Sequence, residues 1–214
     1  MTESEALDVL ERVGAFRSGH FVFTHGRHSD KYINKDAIYP FTKETSLLCR
    51  AMAEIFKDDG IEVVIGPAIG AAILSQWVGH HLSELTGRDV ASVYADKDGQ
   101  GGFIVKRGYD RVIARKKTLV VEDLMTTGGS VKKVIEAARH AGADIFGVTA
   151  ICNRGGVQAS DIGNPKKFKP LLDVHLDPWE ANDCPLCARN IPVATDIGHG
   201  KEFLVTRGKQ LTPH

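Results

Sequence analysis

A chain of 214 residues is long enough to bury one sizeable core, and its 43% share of hydrophobic residues can fill that core. Twenty-seven basic and 27 acidic side chains cancel, so no net field draws the whole molecule to nucleic acid or to an anionic membrane. Anionic ligands must be caught locally.

The chain opens on Thr2, Glu3, Ser4 and Glu5 rather than a basic stretch and an apolar run, so it does not read as a secretion leader. Leu7, Leu10 and Val13 follow at helical spacing, and Gly14 can stop that helix. Phe21, Val22 and Phe23 run into Thr24-His25-Gly26-Arg27, and Tyr32-Ile33-Asn34 resumes an extended pattern, which predicts a hairpin with a polar tip. From Thr42, the residues Leu47, Leu48, Ala51, Met52, Ile55 and Phe56 make one apolar helix face that ends before Gly60. Apolar runs and helical patterns then alternate: 61–65, a helix over 71–85, 90–94 and 118–121. A helix over Val131, Val134, Ile135 and Ala138, a run at 145–151 and a weaker one at 171–174 complete the series. Runs such as Val63-Val64-Ile65 and Leu119-Val120-Val121 lack polar alternation, as strands covered on both faces do. The expected fold class is α/β, a mainly parallel sheet flanked by helices. Between Asp96 and Lys117 the sequence turns charged and glycine-rich, which predicts a long mobile loop or a hairpin. No run approaches the roughly 20 apolar residues of a membrane span, so a soluble, cytoplasmic protein with no membrane partner is expected.

The most informative stretch is Leu119-Val120-Val121-Glu122-Asp123-Leu124-Met125-Thr126-Thr127-Gly128-Gly129-Ser130, ahead of the amphipathic helix from Val131. Glycines let backbone approach a ligand closely, and the free N–H groups of a first helical turn make an anion site. Thr126, Thr127 and Ser130 add hydroxyls, so a phosphate monoester fits. Glu122 and Asp123 fall at the carboxyl end of the strand, where open α/β sheets bind ligands. Beside a phosphate cradle, carboxylates need donors, and ribose hydroxyls or a hydrated divalent cation supply them. A Walker loop would need a lysine before the final hydroxyl, and a dinucleotide fingerprint a third glycine; both are missing.

The run resembles the phosphoribosyl pyrophosphate signature of the type I phosphoribosyltransferases nearly position by position. The resemblance implies that Glu122 and Asp123 face the ribose hydroxyls and that the turn through Leu124, Met125, Thr126, Thr127, Gly128, Gly129 and Ser130 holds the 5-phosphate. Gly14 to Phe21 and Gly26 to Lys35 are similar to the N-terminal hood of orotate phosphoribosyltransferases. Gly66-Pro67-Ala68-Ile69-Gly70 resembles their pyrophosphate loop, and Cys152-Asn153-Arg154-Gly155-Gly156 their base-binding strand end. Arg154 carries a planar fork suited to the orotate carboxylate. By resemblance, Arg154 and Thr126 contact orotate, with Lys35 or the hood backbone nearby. Lys97 stands for the loop lysine that reaches the pyrophosphate; no Lys-x-His follows it, which leaves Lys106 and Arg107 as further candidates. Thr24 and Ala71 stand where some relatives place lysine.

The resemblance implies a single phosphoribosyltransferase domain over 1–214, with an N-terminal helix and hood (1–40), an α/β core (41–176) and a C-terminal extension (177–214). It further implies a homodimer with loop residues shared across the interface. Magnesium would be held mainly through the substrate, with no direct protein ligand. The implied reaction joins orotate to phosphoribosyl pyrophosphate, giving orotidine 5-phosphate and pyrophosphate in pyrimidine synthesis. A purine, uracil or another carboxylated ring in place of orotate is the alternative within the fold. A non-catalytic sensor of phosphoribosyl pyrophosphate is the alternative outside it, and balanced charge speaks against its binding nucleic acid.

Cys49, Cys152, Cys184 and Cys187 are too few and too scattered for a disulfide framework and are expected to be reduced. Cys184 and Cys187 form a CxxC, but a structural zinc site usually needs four ligands and no second pair at suitable spacing follows, so a turn at Pro185 is expected. His20, His25, His28, His80 and His81 make no recognised ligand pattern with a third partner and are expected to be surface or hood residues.

Overall fold

The structure, a computed structural model, describes residues 1–174, 176 and 178–210, the last four by backbone alone. Positions 177 and 211–214 of the expected extension lie outside the described residues. In chain order the elements are α1 (Glu3–Arg12), β1 (Phe16–Val22), β2 (His28–Ile33), α2 (Thr42–Phe56), β3 (Val63–Pro67), α3 (Gly70–Thr86), β4 (Ala91–Lys97) and β5 (Phe103–Ile104). There follow α4 (Tyr109–Ile113), β6 (Lys117–Met125), α5 (Gly129–His140), β7 (Asp144–Asn153), β8 (Lys167–Phe168), β9 (Leu172–Asp173), α6 (Pro185–Ala188) and α7 (Gly200–Gln210).

Contacts gather these into two compact units, Met1–Val13 with Lys35–His175 and Gly14–Asn34 with Leu176–His214. These boundaries differ from those drawn on the sequence. The first helix packs on α2 and β9 and so belongs with the larger unit, while the tail joins the hairpin.

In the larger unit the sheet order is β5-β4-β3-β6-β7-β8, with β9 also on β7. All pairings are parallel except β4 with the edge strand β5. Side chains alternate across the pleat, so β3 feeds two cores. Val63 and Ile65 join Val120 and Val148 beneath Val131, Val134, Ile135 and Ala138 of α5. Val64, Leu119 and Val121 are buried outside that cluster, while α3 packs on β3, β4 and β6 and α2 packs on α3 and β7. The chain leaves β3 for β4 on one side and then crosses to β6 on the other, and this reversal opens a crevice at the carboxyl ends of β3 and β6. The glycine-rich stretch after Asp96 forms the β4–β5 hairpin, its turn tied by Asp98 Oδ1, which accepts from the Gln100 and Gly102 N–H groups at 2.7 and 2.9 Å. Among the described residues no helix is long and apolar enough to cross a membrane.

In the smaller unit β1 and β2 pair antiparallel, with a register shift between Ser18 and Phe21. The tail is stitched to them by backbone bonds: Trp179 and His28 exchange two at 2.8 Å, Ala194 donates to the His20 carbonyl at 2.8 Å and His199 to that of Val22 at 2.9 Å. His20 and His28 are buried, and their side chains meet Cys184 and Cys187. This corrects the expectation for both motifs. The histidines do have a third and fourth partner, supplied from the far end of the chain where spacing rules do not look.

Candidate functional site

Strand β6 carries Glu122 and Asp123 to its carboxyl end, each 6% exposed. Glu122 Oε1 accepts from the Asp123 N–H at 3.0 Å, and Asp123 Oδ1 from the Leu124 N–H at 2.7 Å. The outer oxygen, Asp123 Oδ2, accepts from the Tyr39 hydroxyl at 2.5 Å and the Lys35 ammonium at 3.2 Å. Burial, reinforced by the charge of Asp123, pushes the Glu122 carboxyl up to about 8. Burial and the same charge raise the Tyr39 hydroxyl, which therefore stays a donor. For Lys35, burial works downward, but Asp123 and Asp36 outweigh it and hold the ammonium above its ordinary range. Burial thus favours the neutral form of Glu122, while the cation at this corner binds Asp123.

Past the acids, Gly128 (φ 73°) turns the backbone into α5 as an N-cap without a side chain, and the Gly129 N–H of the first turn donates to the Thr127 hydroxyl at 3.4 Å. A Cβ on Gly128 would stand 2.7 Å from Ile162 Cγ2, so both its conformation and its packing require glycine. Glu122 and residues 124–131 line a cavity of about 130 Å³, with Thr126, Thr127, Gly129 and Ser130 exposed. N–H groups of the first turn, hydroxyls and the positive end of the helix dipole converge there. Met125, part of the expected phosphate-binding run, lines this cavity and is also buried in the core cluster.

The loop after β3 lies beside this corner. Pro67 is buried, the Ala68–Ile69 peptide is cis, Ile69 is 83% exposed, and α3 begins at Gly70. Gly70 sits against the Tyr39 hydroxyl and Asp123; a Cβ there would stand 2.7 Å from Asp123 Oδ2.

Strand β7 completes the arrangement. Buried Asn153 donates from Nδ2 to the Val157 carbonyl at 3.1 Å and to Asp173 Oδ1 at 2.8 Å, while its Oδ1 accepts from the Val157 N–H at 3.1 Å. This closes a turn that presses Gly155 onto the Thr126 carbonyl. Arg154 donates its backbone N–H to Met125 O at 2.9 Å and its Nε to Thr126 Oγ1 at 3.0 Å. The structure therefore brings together Glu122, Asp123, the 126–130 loop, Gly70 and Arg154. Lys35 reaches this corner through Asp123. Tyr39 is not singled out by the sequence, since a tyrosine outside any motif carries no spacing signal, and Asn153 stands inside the 152–156 motif without a role of its own.

Lys97, Lys106 and Arg107 are exposed on the β4–β5 arm. Arg107 is held by Asp96, Nε to Oδ2 at 3.3 Å, and lies over the Tyr94 ring. Lys133 of α5 donates to the Gly101 carbonyl at the arm's tip at 2.5 Å. Among the described residues no hydrogen bond or ion pair joins these three cations to the 122–130 segment.

The family described as "Phosphoribosyl transferase domain" matches residues 34–184. An orotate phosphoribosyltransferase of Caldicellulosiruptor saccharolyticus is 34% identical over 193 residues, 90% of this chain and 95% of that one. One of Pelotomaculum thermopropionicum is 36% identical over 192 residues, again 90% and 95%. The crystal structure of Mycobacterium tuberculosis orotate phosphoribosyltransferase in complex with phosphoribosyl pyrophosphate superposes with a TM-score of 0.63 at 21% identity. That superposition covers 80% of this chain and 96% of that one, a likeness of fold.

Proposed function

Because the chain belongs to the phosphoribosyl transferase family, in its orotate phosphoribosyltransferase branch, we propose that it transfers the phosphoribosyl group of phosphoribosyl pyrophosphate to orotate. The products are orotidine 5-phosphate and pyrophosphate, a step of pyrimidine synthesis. The observation that carries the reading is the convergence of three strand ends on one crevice. β6 brings an acidic pair and an anion loop, β3 brings Gly70 against Asp123, and β7 brings Arg154 against Thr126.

In this reading the backbone and hydroxyls of 126–130 hold the 5-phosphate. Asp123 accepts from a ribose hydroxyl in place of Tyr39, and protonated Glu122 donates to or accepts from its neighbour. The 67–70 loop lies under the pyrophosphate. The Arg154 fork and Thr126 take the orotate carboxylate, with Lys35 on the Asp123 side. As the anomeric bond breaks, the sugar gains positive charge, which the Asp123 carboxylate favours. Lys97, Lys106 and Arg107 meet the leaving pyrophosphate when the β4–β5 arm closes and excludes water, Arg107 giving up Asp96 to do so. The donor set fits a magnesium ion carried by the substrate and not by a protein cage, since burial disfavours the charged form of Glu122 and Asp123 Oδ2 already has two donors. When bound, that ion neutralises charge on the pyrophosphate. The active species is a cytoplasmic homodimer in which arm residues of one subunit serve the other.

The test is turnover with phosphoribosyl pyrophosphate and magnesium, offering orotate, uracil and purines in parallel. Orotate is consumed with release of pyrophosphate. Reaction of a purine or uracil with none of orotate overturns the base assignment.

A further inference from the structure

We propose that His20, His28, Cys184 and Cys187 bind one zinc ion, a structural site in the smaller unit that plays no part in the transfer reaction. The four ligand atoms lie within 4.8 Å of one another. Cys184 Sγ and Cys187 Sγ stand 3.6 and 3.8 Å from His20 Nε2, and Cys187 Sγ is 3.5 Å from His28 Nδ1. Zinc holds nitrogen at roughly 2.0–2.1 Å and thiolate sulfur at about 2.3 Å, so a nitrogen–sulfur edge of its tetrahedron measures about 3.6 Å. The observed spacings are those of such an edge. The two imidazole nitrogens stand 2.8 Å apart, and a tetrahedron asks them to part to about 3.4 Å.

Local structure explains how the donors come to face each other. The β1 irregularity between Ser18 and Phe21 contains His20, and His28 opens the paired strand. Cys184 precedes α6 and Cys187 lies within it, so the CxxC spans one helical turn with both sulfurs on the same side. His20 Nδ1 faces the Ile191 carbonyl at 2.8 Å. A carbonyl only accepts, so that nitrogen carries the proton and Nε2 presents its lone pair to the cluster. A carbonyl partner behind a ligating imidazole is the usual second support of a zinc site.

Charge points to the same ion. His20, His28 and Cys184 are buried, where an isolated charge is costly. Two thiolates and two neutral imidazoles around a divalent ion sum to zero, the two thiol protons leaving to solvent on binding. Two sulfurs and two nitrogens in a tetrahedron suit zinc over magnesium or calcium, and four protein ligands leave no open position for catalysis. The other gathering of ligand-type groups among the described residues, His80, His81 and Glu84, lies on one helix, where Glu84 also meets Arg50. Two of its three groups are exposed, so it lacks the largely buried four-ligand shell of the first cluster.

The test is metal analysis of the full chain, purified without a histidine tag from zinc-containing medium. Elemental analysis should give close to one zinc per chain, and the double variant Cys184→Ser/Cys187→Ser background only. Cys49→Ser and Cys152→Ser should keep the metal, since neither belongs to the cluster. Should the double variant fail to fold, the wild type decides alone: after chelation and reduction, cobalt(II) should give the strong visible bands of a tetrahedral site and the near-ultraviolet absorption of thiolate ligation. Zinc should displace it mole for mole. Absence of stoichiometric metal from both experiments, a pale six-coordinate cobalt spectrum, or zinc retained in a folded double variant would overturn the proposal. A Cys184–Cys187 disulfide in freshly isolated, metal-free protein would overturn it as well.

Discussion

Glu122 and Asp123 are neighbours on one strand end, yet their surroundings give them different chemistry. Asp123 is matched to Lys35 and Tyr39; Glu122 accepts from the Asp123 backbone N–H, and burial together with the charge of Asp123 raises its carboxyl toward the neutral form. Asp123→Asn should lower kcat/KM by about 100-fold or more while the protein stays folded, as read from orotate consumption. An acid held above its ordinary value of 4.5, here at about 8, is protonated in the folded chain at pH values where the unfolded chain has already ionised. Its contribution is therefore complete below about 4.5 and is lost as pH rises toward 8. Urea unfolding between pH 5 and 8 should show wild-type stability declining through this window and Glu122→Gln with a flatter profile; parallel profiles would refute the assignment. Arg154→Lys keeps the charge and loses the fork, so KM for orotate should rise roughly 10- to 100-fold with a smaller change in kcat. The acids and Arg154 were legible in the sequence because each sits inside a contiguous motif. Tyr39 was not, because its partner lies on a distant strand.

At the scale of elements, the site depends on how tightly three loops touch. Gly70→Ala would drive a methyl group against Asp123 and the Tyr39 hydroxyl. We expect it to cost about 1–3 kcal/mol of stability and to lower activity more than stability alone accounts for, a split that denaturation and kinetics on one preparation would reveal. Helices α2 and α5 were legible from apolar spacing because each buries a single stripe. The full length of β6 was not: apolar patterning stops at Val121, but pairing with β7 continues through Met125, and buried carboxylates do not look like strand. Strands β8 and β9, of two residues each, carry too little pattern to be recognised.

Across the whole molecule, the parallel sheet followed from the alternation of apolar runs and helices, whereas the grouping of hairpin with tail did not. That grouping rests on backbone bonds between residues more than a hundred positions apart, which no local pattern encodes. With a net charge of zero, the proposed capture of substrate falls to the loop at the head of α5 and the carboxylates before it. The most direct measurement is a crystal structure with phosphoribosyl pyrophosphate bound. The account predicts 5-phosphate oxygens within about 2.7–3.2 Å of the backbone N–H groups in 127–130, with ribose hydroxyls on Glu122 and Asp123 and the Tyr39 contact given up. A 5-phosphate bound elsewhere, or Asp123 still closed by Tyr39 beneath the bound sugar, would contradict it.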